Sequence, residues 1–170
     1  MRSEEEARQA VVDEALSWTG TPYIPSGRIK GPNGGVDCLT FVAGVFEGAG
    51  IIERLQIPHY PHDWHLHQDG ELYLFGKDGT PGLLHFCREI EGQPQAGDIV
   101  VWKFGHCFSH AAIVTEWPMI IHAWSERPVG PDNALTRTIL KTVHEVIALR
   151  GTSRPRRTFA IKDWKLDGVL

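Results

Sequence analysis

Three cysteines and nine histidines stand in a chain of 170 residues. One of the cysteines, Cys38, has the setting of a nucleophile. It follows a stretch, residues 20–36, that holds five glycines and three prolines. It also opens an apolar segment in which Leu39, Val42, Val45, Phe46 and Ala49 fall on a helical face, with Gly50 as the stop. A thiol at a helix N-terminus lies among free backbone N–H groups at the positive end of the helix dipole, and both stabilise a thiolate. The same N–H groups suit an oxyanion. A structural thiol is the alternative reading of Cys38. A nucleophilic cysteine needs a base, and the base needs an orienting partner. His110 and His122 stand in two apolar, β-branched runs, residues 110–115 and 119–124, separated by Glu116-Trp117-Pro118. That pattern reads as a hairpin. If the hairpin is centred on Glu116, the two histidines pair directly and share one face. A two-residue loop at Trp117-Pro118 puts them on opposite faces unless a bulge intervenes. Two unrelated histidines are the competing reading.

Other elements must hold these groups in place. Residues 3–18 read as a helix: Ser3 and Glu6 have capping-box spacing, Glu4 and Glu5 suit the positive end of the dipole, and Ala7, Val11, Ala15 and Trp18 recur at helical spacing. Gly20 and Pro22 end it, and residues 20–36 form a long loop of a kind that is often functional. Asp37 suits the N-cap of the second helix. Residues 71–75 and 83–90 read as short helices. From Gly97 the pattern changes to strands, first Ile99-Val100-Val101-Trp102 and then the hairpin, with weaker strands over residues 142–149 and 157–161. Helices first and strands later point to an α+β domain with an antiparallel sheet, spanning residues 1–170 as one unit.

Five motifs in order carry a resemblance. They are Gly20-Thr21-Pro22-Tyr23, Asp37-Cys38, Gly97-Asp98-Ile99-Val100-Val101-Trp102, His110-Ala111-Ala112-Ile113-Val114 and Ile120-Ile121-His122-Ala123. Together they resemble the NlpC family of cell-wall cysteine peptidases. The stretch Tyr60-Pro61-His62-Asp63-Trp64-His65-Leu66-His67 is similar to the phage and prophage-tail branch of that family.

The resemblance implies a papain-like fold in which the cysteine helix packs on an antiparallel sheet. It implies Cys38 as nucleophile, His110 as general base and acid, and His122 as the residue that orients His110. It places Tyr23 beside the thiol as a substrate or oxyanion contact, and gives Asp37 two roles, helix cap and substrate contact. The implied activity is cleavage of peptidoglycan stem peptides at the γ-D-glutamyl–diaminopimelate bond, through an acyl-enzyme and with no cofactor or metal. Tail proteins are the implied partners. Where the family has Ser-Gly after the nucleophile, this chain has Leu39-Thr40, which removes a polar contact near the substrate. Two other functions remain open: a non-catalytic tail or wall-binding module, and a thiol amidase or acyltransferase on another substrate.

The other histidines and cysteines weigh less. His59, His62, His65 and His67 fall within nine residues, and His106, Cys107 and His110 form a second group, but neither has the paired cysteines of a common zinc site. The reading is no metal, with His65 or His67 bordering the groove, Trp64 and Trp102 as core or groove wall, and Cys87 and Cys107 as buried small hydrophobes. A net charge of −4 argues against nucleic acid. The cluster Arg150, Arg154, Arg156 and Arg157 reads as a solvated loop. The longest uncharged stretch is 13 residues, too short to span a membrane. The start, Met1-Arg2-Ser3-Glu4-Glu5-Glu6, lacks the apolar region of a signal peptide. The expectation is therefore a protein made in the cytoplasm and carried to the wall on a virion or tail.

Overall fold

The computed structural model describes residues 2–67, 72–77, 79–125, 127–134, 138–142, 145–148, 156–162 and 164. Helix α1 (Glu4–Ser17) begins at the expected capping box, with the Ser3 hydroxyl accepting from the Glu6 N–H and the Glu6 carboxylate accepting from the Ser3 N–H. A small hairpin, β1 (Arg28–Ile29) and β2 (Gly35–Val36), lies inside the glycine-rich loop and leads into α2 (Cys38–Gly48). Next come three single-turn helices, α3 (Trp64–His67), α4 (Leu72–Phe75) and α5 (Leu83–Phe86), with the two-residue strands β3 (Gly76–Lys77) and β4 (Thr80–Pro81) between the last two. The remaining elements are strands: β5 (Cys87–Ile90), β6 (Ile99–Phe104), β7 (Cys107–Glu116), β8 (Met119–Trp124), β9 (Arg127–Asn133), β10 (Thr138–Thr142), β11 (Glu145–Ala148) and β12 (Arg156–Ile161).

Six of these strands form one antiparallel sheet in the order β5-β12-β6-β7-β8-β9. Strands β10 and β11 pair separately as a hairpin. Both helices pack on one face of the large sheet. There Ala7, Val11 and Ala15 of α1 and Phe41, Val45 and Phe46 of α2 meet Ile99, Val101, Ala111, Ile113, Ile121 and Phe159. The opposite face carries Val100, Trp102, Ala112, Val114, Ile120 and Trp124. Burial on both faces explains why the central strands are continuous apolar runs without alternation. Gly44 brings the helices together, since a Cβ there would stand 2.7 Å from the Trp18 ring.

A clamp ties α1 to the sheet at the Gly97-Asp98 motif. Gly97 takes a left-handed φ of +83°, which glycine adopts without steric cost, and this turn aims the Asp98 side chain inward. Asp98 is fully buried; its carboxylate accepts from Arg8 Nη1 at 2.8 Å and from the Gln95 N–H at 2.8 Å. The Arg8 guanidinium also lies over the Trp164 ring at 4.3 Å.

Three expectations change. The stretch 83–90 is helical only to Phe86, because residues 87–90 are drawn into the sheet edge by β12, with Ile161↔Cys87 and Thr158↔Ile90 in register. The basic cluster is not simply a loop: the strand expected over 157–161 begins one residue earlier, at Arg156, as β12, Arg156 lies over Trp117 at 4.8 Å, and Arg157 pairs with Glu89 at 2.6 Å. Arg150 and Arg154 lie outside the described residues. The β7–β8 hairpin is not centred on Glu116. Its loop is Trp117-Pro118, with Glu116↔Met119 in register, and a bulge between Val114 and Glu116 shifts the pairing to Val114↔Ile120 and Ile113↔Ile121. Extending that register puts His110 and His122 on one face as diagonal neighbours rather than a direct pair.

Candidate active site

The site is built where the N-terminus of α2 meets β7. Asp37 is the N-cap. Its Oδ1 accepts from the Leu39 N–H at 3.1 Å, the Thr40 N–H at 2.9 Å and the Thr40 hydroxyl at 2.9 Å. Its Oδ2 accepts from the Ser26 N–H at 2.8 Å and from the Tyr60 hydroxyl at 2.5 Å. Five donors saturate a buried carboxylate. Asp37 is therefore a cap that also anchors the glycine-rich loop and Tyr60, and it lines the pocket that holds Cys38.

Cys38 is the first residue of α2 and is half-buried. Its Sγ lies 3.5 Å from the Ser109 carbonyl oxygen, to which the thiol donates. Burial and the adjacent Asp37 carboxylate push the thiol up to about 12, while hydrogen bonds from the N–H groups of Ala111, Cys38 and Leu39 pull it down. Two of the dipole's free N–H groups, those of Leu39 and Thr40, are already engaged by Asp37. Burial and the Asp37 charge thus favour the neutral thiol over the thiolate. The helix-end effect expected from sequence is present but is outweighed by burial and by the cap's own charge.

His110 sits on β7, directly after the residue whose carbonyl holds the thiol. It shares one pocket of about 120 Å³ with Cys38, Tyr23, Tyr60, His62, Trp64 and Trp124. Aromatic rings fix the imidazole: Trp124 at 4.6 Å, Phe104 at 5.7 Å and Trp102 at 6.0 Å between centroids. His110 Nε2 lies 2.9 Å from Nδ1 of His122, which is fully buried. Behind that ring, His122 Nε2 lies 3.3 Å from Asp132 Oδ2.

Tyr23 is half-buried at the rim of the same pocket, with its hydroxyl 3.3 Å from His62 Nδ1. Burial, reinforced by Cys38 and Asp37, raises that phenol well above its usual range, so it keeps its proton. Leu39 lies in the wall between this pocket and a second, apolar cavity of about 160 Å³, which Val42, Phe46, Trp64 and Phe86 also line.

The structure thus brings Cys38, His110, His122, Tyr23 and Asp37 to one place, with the Asp37 carboxylate engaged as a strut. Sequence reasoning assigned no site role to Tyr60, His62 or Asp132. Tyr60 and His62 stood in the aromatic stretch after Pro58, where no periodicity shows which side chain turns inward. Asp132 directly follows Pro128-Val129-Gly130-Pro131, and proline normally argues against a strand. Among the described residues, no three His, Cys, Asp or Glu side chains converge as metal ligands, and no helix is long and apolar enough to cross a membrane. The side chains of His65 and His67 lie outside the described set. Cys87 and Cys107 are buried and lie outside any disulfide.

Two helices on an antiparallel sheet, with a thiol at a helix N-terminus and a histidine pair on the facing strands, define the papain-like class. The model of the NlpC/P60 family matches residues 20–148, and the chain belongs to that family. Solved structures with this fold include three neighbours of low identity. The peptidoglycan hydrolase RipB of Mycobacterium tuberculosis is 20% identical, with 76% of this chain and 59% of that one covered and a TM-score of 0.51. An NLP/P60-family lipoprotein-like protein of Staphylococcus aureus is 23% identical, with 81% and 39% covered and a TM-score of 0.50. The NlpC/p60 domain of the peptidoglycan hydrolase SagA is 22% identical, with 74% and 88% covered and a TM-score of 0.47. None of the curated proteins compared with the chain matches it significantly.

Proposed function

We propose that this chain is a cysteine endopeptidase that cleaves peptidoglycan stem peptides at the γ-D-glutamyl–diaminopimelate bond. The observation that carries the reading is the shared pocket of Cys38 and His110, with His110 Nε2 2.9 Å from His122 Nδ1. Membership in the NlpC/P60 family, and neighbours named as peptidoglycan hydrolases, support the substrate class.

In this mechanism the neutral thiol gives its proton to His110 as sulfur attacks the γ-carbonyl carbon of D-glutamate. A thiol held up to about 12 needs a general base acting during attack, so His110 is indispensable. The oxyanion forms beside the Cys38 N–H and the protonated Tyr23 hydroxyl. His110 then protonates the departing amine of diaminopimelate, and the C–N bond breaks to leave a thioester on Cys38. Water, deprotonated by His110, hydrolyses it. His122 holds the imidazole and stays outside the proton transfer.

The stretch from Tyr60 to His67 supports placing the enzyme with the tail-associated members of the family. Tyr60, His62 and Trp64 from that stretch line the thiol pocket. In this reading the protein is made in the cytoplasm, joins tail proteins, and opens the wall locally. One feature favours a second reading, a wall-binding module without turnover: Leu39 stands where the family has a polar residue after the nucleophile.

Mass spectrometry of muropeptides after digestion tests the proposal. The expected products are fragments ending in a free D-glutamate γ-carboxyl, paired with fragments beginning at the diaminopimelate amine. Products cut at any other bond refute the specificity, and the absence of products favours the binding module.

A further inference from the structure

We propose that Asp132 is a positioning residue that fixes which ring nitrogens of His110 and His122 carry protons. This rests on the reading of His110 as the base for Cys38. Two neutral imidazoles joined by one hydrogen bond have two arrangements. In the first, His110 Nε2–H donates to His122 Nδ1, so His122 carries its proton on Nε2, and His110 Nδ1 keeps a lone pair. In the second, His122 Nδ1–H donates to His110 Nε2, the lone pair of His122 is on Nε2, and His110 carries a proton on Nδ1. Only the first leaves His110 with a free nitrogen lone pair while it is bonded to His122. The 2.9 Å contact alone does not choose between them.

Asp132 chooses. Its Oδ2 lies 3.3 Å from His122 Nε2. A carboxylate facing that nitrogen accepts a hydrogen bond from N–H and repels a lone pair. The fully buried His122 ring cannot exchange this contact for solvent. The second arrangement is therefore disfavoured, and the first is transmitted through His122 to His110. When His110 becomes an imidazolium, its Nε2–H stays on His122 and the Asp132 charge lies behind it, in line with the developing positive charge. Topology delivers the carboxylate: His122↔Gly130 and Ile120↔Asp132 are in register, so Asp132 is the diagonal neighbour of His122 on one face.

The test is tautomer assignment by long-range proton–nitrogen spectra of the nitrogen-15-labelled full chain at alkaline pH, with resonances assigned through His110→Gln and His122→Gln. The expected result is Nε2–H on both rings in the wild type. Asp132→Asn presents either an oxygen or an NH₂ to His122, so a second tautomer should appear at both rings. On muropeptide substrate, kcat should fall by about 10²-fold with KM nearly unchanged, the lower end of what general acid–base catalysis contributes. Asp132→Glu should restore the single tautomer and part of kcat. A wild-type His110 protonated on Nδ1 overturns the proposal, and so does an Asp132→Asn protein that keeps both the tautomer and kcat. Should Asp132→Asn fail to fold, the wild-type tautomer decides. The spectra need no substrate, so an inactive protein with the expected tautomers refutes the peptidase reading and leaves Asp132 in its role.

Discussion

Replacing Asp37 with asparagine separates two effects that this one carboxylate combines. The substitution is isosteric and removes one negative charge. Asparagine caps helices as well as aspartate does, so its oxygen at the Oδ1 position keeps the Leu39 and Thr40 N–H groups satisfied. The loss falls at Oδ2, which accepts from Ser26 N–H and Tyr60 O–H and becomes an NH₂ group. The Tyr60 hydroxyl can turn and accept instead. The Ser26 N–H cannot turn, and it is left facing a donor. A lost charge-assisted hydrogen bond plus an unpaired, partly buried N–H comes to about 3 kcal/mol of stability, read as the urea midpoint at constant slope. The same change should make Cys38 more reactive, because Asp37 is one of the two causes holding the thiol up to about 12. Mass-mapped iodoacetamide alkylation of Cys38 at pH 8 should speed up about 3- to 10-fold, partly offset by the weaker nucleophilicity of a more acidic thiol. A destabilised variant with a faster-reacting thiol is the expected combination. Unchanged stability would refute the accounting of donors around Oδ2. Alkylation no faster than in the wild type would refute the electrostatic role of Asp37.

Asp98→Ala should cost about 2 kcal/mol, because it leaves the Gln95 N–H unpaired and removes one of the two ion pairs of Arg8, which keeps Glu4 and the Ala96 carbonyl; chemical denaturation measures it. His110→Ala should abolish muropeptide cleavage, whereas His122→Ala should leave a slow residual rate, since it orients the base without moving the proton; steady-state kinetics on folded variants checks the order. Cys87 is pushed up to about 12 by burial, from an ordinary value of 9.0. Its folded value is raised, so the unfolded chain loses that proton first and the stabilisation is lost as pH rises from 9 towards 12. Replacing it by alanine should make the fall of stability over that range shallower by about 1.4 kcal/mol per pH unit, read from denaturation midpoints at several pH values.

Legibility in the sequence followed the range of the forces involved. The first helix announces itself through Ser3 and Glu6, and the second through Asp37, because capping is decided within four residues. Continuous apolar strands near residues 99–124 were equally plain. The register of β7 and β8 was not, since it depends on the bulge between Val114 and Glu116, which no residue type dictates. Residues 87–90 could not be read as a strand, because their partner β12 lies some seventy residues further on. Cys38 and the histidine pair were visible as residue types with spacing. The layers behind them, Tyr60 on Asp37 and Asp132 on His122, depend on loop path and strand register, which leave no local signature.

The central claim is that Cys38 performs turnover on the cell wall. Release of soluble peptides from purified sacculi by the wild type and by Cys38→Ala, with equal folding shown by matched denaturation curves, tests it most directly. The account predicts steady release by the wild type and none by Cys38→Ala. Equal release by both proteins, or none by the wild type, would contradict it.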